Sequence, residues 1–197
     1  MSRIHATVFL GVAFLLLAFA TWQFPELVRA IDVPIARFLV SHQTLTSIQL
    51  FLVITALAGV SGTVAIGLGA VYFIRKRVAY MRALVLVLAG SIISANLIKV
   101  LVARIRPEPL QWFDSLLTYS FPSGHATSAM ALFGFLAFMS AQLTRGYMRV
   151  SLVTALGALV FLIGFSRLVL GVHFFSDVMG GFLLGLFWIV LCLPKKS

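Results

Sequence analysis

Six stretches of this chain are apolar for the length of a bilayer crossing, and that limits its fold more than any other feature. A transmembrane helix needs about 20 predominantly apolar residues. Ile4–Phe24, Ser47–Ile74, Ala83–Ala103, Ser123–Leu143, Val150–Leu170 and Phe174–Leu193 meet that requirement. The chain is 61% hydrophobic and only 10% charged, where a soluble domain carries about 25% charged residues. The expectation is an all-α polytopic membrane protein, six transmembrane helices in one bundle, forming a single membrane-embedded domain over residues 1–197. No internal repeat and no low-complexity segment interrupts it.

The connections refine this picture. Pro25–Thr46 carries Glu26, Arg29, Asp32 and Arg37. Charges every few residues argue against a further span and predict a short helix or loop lying at the membrane interface. Arg75–Arg82 and Thr144–Arg149 are basic turns, and Arg104–Phe121 is a loop with Trp112 and Phe113. Ordinary interfacial anchoring explains those two aromatics, and lining the entrance of a site is the other reading. The first run lacks a convincing small-x-small cleavage site near Thr21–Pro25 and reads as an uncleaved helix. Cys192 is the single cysteine, so no intrachain disulfide can form. It reads as a small residue of the last span.

The net charge of +10 does not point to nucleic acid. In so apolar a chain, basic residues belong to cytoplasmic loops and contacts with anionic lipid. With the N-terminus inside, nine Lys and Arg fall on the inner side and six on the outer, and all five acids fall outside. That bias leads to the expectation that both termini are cytoplasmic.

On that layout three polar islands share the outer, periplasmic or exterior, face, which apolar patterning alone does not require. The first is Lys99 to Arg106-Pro107. Seven residues are almost two helical turns, so Lys99 and Arg106 project from one helix face, and Pro107 ends that helix. Snorkelling to lipid headgroups is the plain alternative for these cations, and Arg104 reads as such a bystander. The second island is Pro122-Ser123-Gly124-His125. Ser123 is a helix N-cap, Gly124 admits close approach, and free N–H groups at a helix start bind an anion. An ordinary Pro-Ser-Gly turn with a capping His is the plain alternative. The third is Ser166-Arg167, His173 and Asp177. On a helix His173 and Asp177 share a face. The carboxylate fixes one ring nitrogen and leaves the other free to attack or accept a proton, while Arg167 offers a planar charged fork for a phosphate. A lone His in an apolar helix is usually a packed residue, but a buried carboxylate must be paired.

Together these residues resemble the type 2 phosphatidic acid phosphatase superfamily, integral-membrane lipid phosphatases related to vanadium haloperoxidases and bacterial acid phosphatases. Its signature is Lys-x6-Arg-Pro, Pro-Ser-Gly-His, then Ser-Arg-x5-His-x3-Asp, and order, spacing and residue type match at every signature position from Lys99 to Asp177. The short Pro25–Thr46 connection is similar to the compact bacterial members. The resemblance implies that His173 is the nucleophile and forms a phosphohistidine, that Asp177 orients its ring, and that His125 protonates the leaving oxygen and then activates water. It implies that Lys99, Arg106, Ser123, Gly124 and Arg167 cradle the phosphate.

The residues argue against metal catalysis, because Asp177 is the one acid in a motif and Mg²⁺ normally wants a carboxylate set. No cofactor is implied, and the oligomeric state is not legible. The resemblance implies the bilayer and a lipid phosphate as partners, and an outward site in a compact, bacterial-looking chain puts undecaprenyl diphosphate first and phosphatidylglycerol phosphate second. A lipid phosphotransferase would use the same intermediate. A transporter of an anionic substrate would instead place its polar residues near the bilayer midplane. The glycines of the second run (Gly59, Gly62, Gly67, Gly69) are its best support.

Overall fold

The computed structural model describes residues 2–107 and 118–194. Trp112 and Phe113 lie outside the described residues, so their entrance or anchor role has no structural counterpart here. The described chain is all-helical: α1 (Arg3–Gln23), α2 (Pro25–Ser41), α3 (Leu45–Ala56), α4 (Val60–Ile74), α5 (Val78–Val102), α6 (Gly124–Ala129), a π-helical stretch (Met130–Gly134), α7 (Phe135–Leu143), α8 (Gly146–Val169) and α9 (Phe175–Cys192). The units α1, α5, α6–α7, α8 and α9 are each long and apolar enough to cross a membrane. The protein is multi-pass.

Local chemistry sets the boundaries. Ser2 caps α1 by accepting from the His5 N–H, and α1 stops before Pro25, which is pre-set for the first position of α2. Thr44 and Ser47 form a reciprocal capping box at the start of α3. The α2 and α3 axes meet at 118°. Helix α2 fills the stretch expected at the interface, yet α2 and α3 taken together are long and apolar enough for one sharply bent crossing. Leu27, Ile31 and Phe38 are exposed along α2, but Asp32 is turned inward and buried.

One span differs from expectation. Ser47–Ile74 reads as a single crossing, yet it is realised as α3 and α4, only 12 and 15 residues long. The break falls at Leu57–Gly59, where Gly59 caps α4 in extended backbone. A Cβ at Gly62 would come within 2.3 Å of the Ala56 carbonyl oxygen, so the end of α3 and the start of α4 are pressed together.

Helix α9 runs through the middle of the bundle, against α1, α5 and α6 above all. The main core joins Leu84 and Val87 of α5, Leu132 and Phe133 of the π-helical stretch, Ile163 of α8 and Ile189 of α9. Large apolar side chains such as Phe9, Phe19, Leu68, Phe73, Leu101 and Phe161 point outward, as suits a surface solvated by lipid tails. Small residues let α6 approach α9 closely. A Cβ on Gly181 would lie 2.7 Å from the Ser123 carbonyl oxygen, and one on Gly185 would lie 2.7 Å from Met130 Cβ.

Candidate active site

The C-terminal ends of α5 and α8 and the N-terminal ends of α6 and α9 gather at one end of the bundle, and all three polar islands lie there. After α8 the chain turns through Gly171, whose φ of +67° is open to glycine at little cost. The Val172 N–H returns to the Arg167 carbonyl at 3.2 Å, closing the helix end. His173 therefore sits in the connection ahead of α9 and not on the helix itself, a correction to the shared-face expectation. Asp177 lies in the first turn of α9 and accepts from the Phe174 N–H at 2.8 Å through Oδ2. That cap brings the two residues together, with His173 Nδ1 3.6 Å from Asp177 Oδ2. This is an electrostatic contact longer than a hydrogen bond.

The first island also departs from expectation. Helix α5 ends at Val102, and Ala103 adopts left-handed backbone (φ +48°). Arg106 thus reaches the site on a non-helical segment and shares no helix face with Lys99. The two cations meet another way, since both donate to the Tyr119 carbonyl, Lys99 Nζ at 2.7 Å and Arg106 Nη2 at 3.4 Å. Arg106 Nη1 also lies 3.0 Å from His173 Nε2. A guanidinium only donates, so Nε2 is the acceptor and the ring proton falls on Nδ1, facing Asp177. Burial pushes the His173 imidazole down to about 3, against the upward pull of Asp177, so the ring is neutral at physiological pH. Burial also lowers Arg106, and Asp177 offsets part of that; the group stays charged.

The second island behaves as a cap. Ser123 is fully buried and accepts from the Ala126 N–H, while its own N–H donates to the Asp177 carbonyl at 2.9 Å. One backbone bond thus ties the Pro-Ser-Gly-His segment to the turn that carries Asp177. Lys99, Gly124 and His125 line the polar end of a cavity of about 230 Å³ that continues between Val60 and Val64 of α4 and Ile92 of α5. Arg167, Arg106 and Lys99 are all near enough to His125 to act on it coulombically. Arg167 is 5% exposed and donates to Thr55 Oγ1 at 3.0 Å. Its Nε has no hydrogen-bond partner among the described residues. All eight expected site residues lie at this one end of the bundle. Among the described residues, no three His, Cys, Asp or Glu side chains gather within metal-binding reach.

Sequence reasoning missed a second set of residues. Arg104 is no headgroup bystander. It bonds Asp177 Oδ1 at 2.6 Å and Asp32 Oδ2 at 2.7 Å. Ser120 donates to Asp177 Oδ2, Ser176 joins Asp32 to Arg104, and Thr55 supports Arg167. The one signal for this set was the need of a buried carboxylate for a partner, and it fitted Lys99 and Arg167 as well as Arg104.

Fold and site define a class: a multi-pass helical membrane protein with an imidazole–carboxylate pair set among cations at one end of its bundle. A family model described as PAP2 superfamily matches residues 80–196, and the chain belongs to that superfamily. It is 36% identical over 97 residues to phosphatidylglycerophosphatase B of Bacillus subtilis (strain 168), a match spanning 46% of this chain and 45% of that protein. The match thus spans somewhat less than half the length of that curated relative. The crystal structure of the first transmembrane PAP2-type phosphatidylglycerolphosphate phosphatase from Bacillus subtilis superposes with a TM-score of 0.84. It is 25% identical, covering 98% of this chain and 100% of that one. The crystal structure of Aquifex aeolicus LpxE shares the fold, with a TM-score of 0.67 at 20% identity over 82% of this chain and 94% of its own.

Proposed function

We propose that the protein is a metal-independent lipid phosphatase that hydrolyses a phosphomonoester or diphosphate of a membrane lipid through a phosphohistidine. One observation carries the reading. A buried, neutral His173 is held with Nε2 3.0 Å from a guanidinium and Nδ1 3.6 Å from a carboxylate. The Nε2 lone pair of such a ring is free to attack once the Arg106 guanidinium that it accepts from passes to a phosphoryl oxygen, and the carboxylate behind it is a counter-charge for the imidazolium that forms.

In the first step Nε2 attacks phosphorus, the P–O bond to the lipid breaks, and His125 gives its proton to the leaving oxygen. In the second step His125 takes a proton from water, the water oxygen attacks phosphorus, and the N–P bond breaks to release phosphate and restore His173. Lys99, Arg106 and Arg167, with the Gly124 N–H and the Ser123 hydroxyl, hold the equatorial oxygens as charge develops; the Ser123 N–H is already taken by the Asp177 carbonyl. Four cations (Lys99, Arg104, Arg106 and Arg167) against two buried carboxylates (Asp32 and Asp177) suit an anionic substrate better than a divalent ion. The cavity between α4 and α5 leads from His125 along apolar side chains. It fits a lipid whose head enters the charged end while its tail remains in the bilayer.

For the preferred lipid, the similarity to phosphatidylglycerophosphate phosphatase from Bacillus subtilis, in sequence and in structure, moves phosphatidylglycerol phosphate ahead of undecaprenyl diphosphate. The excess of Lys and Arg on the inner side supports cytoplasmic termini and an outward-facing site in the inner membrane. The packing of α1 on α9 supports one domain over residues 1–197. Phosphate release from purified, detergent-solubilised protein tests the reading. The panel holds phosphatidylglycerol phosphate, undecaprenyl diphosphate, phosphatidic acid and a lipid A phosphate, each with EDTA and with vanadate. Release should be fastest from phosphatidylglycerol phosphate, persist in EDTA and fall in millimolar vanadate, which mimics five-coordinate phosphorus. No release from any lipid would overturn the proposal. Loss in EDTA with rescue by Mg²⁺ would overturn its metal-free chemistry.

A further inference from the structure

Asp32 and Arg104 belong to none of the three motif islands' assigned roles, yet both are turned into the site. Asp32 is 1% exposed on a helix that is otherwise a surface element. Its Oδ2 accepts from Arg104 Nη2 at 2.7 Å and from Ser176 Oγ at 2.5 Å, and its Oδ1 accepts from the Ser176 N–H at 2.9 Å. Arg104 Nη1 donates to Asp177 Oδ1 at 2.6 Å and to Ser176 Oγ at 2.7 Å. The guanidinium carbon stands 4.5 Å over the Phe174 ring. Apart from the bond between them, the polar contacts of Asp32 and Arg104 go to Ser176 and Asp177 in the first turn of α9.

We propose that Asp32 and Arg104 form a brace that positions Asp177 and, through it, the His173 ring. The inference rests on the phosphatase reading above. Asp177 has two oxygens. Oδ2 faces His173 and is shared with Ser120 and the Phe174 N–H. Oδ1 faces away and is held by Arg104. Fixing Oδ1 fixes the rotation of the carboxylate and so the direction of Oδ2. Among the described residues Arg104 is the one Lys or Arg paired with Asp177. A buried carboxylate without such a partner is costly as an anion and tends to take up a proton. It could then no longer stabilise an imidazolium. Arg104 is long and single-stemmed, and Asp32 anchors its other nitrogen. The charges alternate along Asp32, Arg104, Asp177 and His173, and the fourth turns positive only when Nε2 takes the phosphoryl group.

Neither residue touches the reacting atoms, so these are positioning residues and the test must separate positioning from simple anchoring of α2. Asp32→Asn keeps the shape and the bond from the Ser176 N–H while removing the negative charge that faces Arg104. Arg104→Lys keeps a charge but loses the fork. Each should lower kcat about 10- to 100-fold, the range for removing groups that orient a reactive ligand, with KM for the lipid phosphate within about two-fold. Asp32→Glu, which keeps the charge, should recover part of the loss. In a double-mutant cycle Asp32→Asn should add nothing to the defect of Asp177→Asn, because its effect passes through that carboxylate. Losses that multiply in the double variant, or a full kcat in Asp32→Asn, would overturn the brace. If Arg104→Lys fails to fold, Asp32→Asn and the cycle carry the test alone. Inactive wild type is the failure of the phosphatase reading; active wild type with an inactive His173→Ala variant and an unaffected Asp32→Asn variant is the failure of the brace.

Discussion

The two seams that border the cavity at His125 are built in opposite ways. Along α6 and α9, backbones meet. A Cβ on Gly181 has no room before the Ser123 carbonyl, and the Ser123 N–H bonds the Asp177 carbonyl. Ala126, Thr127 and Val178 between them are buried. Along α4 and α5 the same cavity opens instead, and Val60, Val64 and Ile92 are exposed beside it. On the proposed mechanism the tight seam holds the groups that must stay registered for bond making, where small displacements cost large factors in rate. The open seam, on the same proposal, needs only to admit an apolar chain, which tolerates slack.

The largest expected effects fall on the tight side. His173→Ala and His125→Ala should each lower turnover by at least about 10³-fold, as losing a member of a concerted catalytic set does, while the purified protein keeps its melting transition. Normal rates in either variant would remove that residue from its role. Next, Gly181→Val should destabilise the protein by about 2–3 kcal/mol through overpacking against backbone that cannot yield. It should also leave the folded fraction poorly active, since α6 moves off the Asp177 turn. Gly157→Ala is the control. Nothing lies within 4 Å of a Cβ there, so the helix should be unchanged or stabilised by about 1 kcal/mol. Equal melting temperatures for the two variants would mean that the close seam contributes nothing.

How much of this was legible in the sequence depended on the kind of constraint. The all-helical membrane class followed from apolar length, and the three islands from the spacing of Lys99, Arg106, His125, His173 and Asp177. What failed to show was where helices stop. Ala103 in left-handed backbone ends α5 before Arg106, and alanine carries no signal for that. The cap at Phe174 puts His173 outside α9, although the separation of four residues fits a continuous helix as well. The break at Leu57–Gly59 was hidden because its residues are as apolar as the helices beside them. Asp32 was seen only as one charge of a surface helix. Its role depends on α2 crossing above α9, a tertiary fact that no local pattern encodes.

Burial makes the tight seam sensitive to acid. His173 is depressed from an ordinary value of 6.5 to about 3 in the folded protein, so between those values the unfolded chain binds more protons. Stability is then fully present above about pH 6.5 and falls as pH drops toward 3. Between pH 7 and pH 5 the loss from this residue is on the order of 2 kcal/mol. Melting temperatures of wild type and His173→Gln in one detergent across that range measure it. The variant should show a shallower fall, and parallel curves would show that the imidazole is not held neutral by burial.

The smallest effect belongs to the open seam and sharpens the contrast best. Val64 and Ile92 lie along the apolar part of the cavity, away from the cations. Val64→Phe or Ile92→Phe narrows the cleft without touching Lys99 or His125. A tail that must lie there loses contact equally in the bound and transition states, so KM should rise about 3- to 10-fold with kcat unchanged. A water-soluble, short-chain phosphomonoester needs no tail path and should be turned over by both variants as by wild type. If the short substrate suffers as much as the lipid, the substitution has disturbed the charged end, and α4 and α5 are part of the rigid frame after all. If neither substrate notices, the tail leaves by another face of the bundle, and the slack between these helices has no part in catalysis.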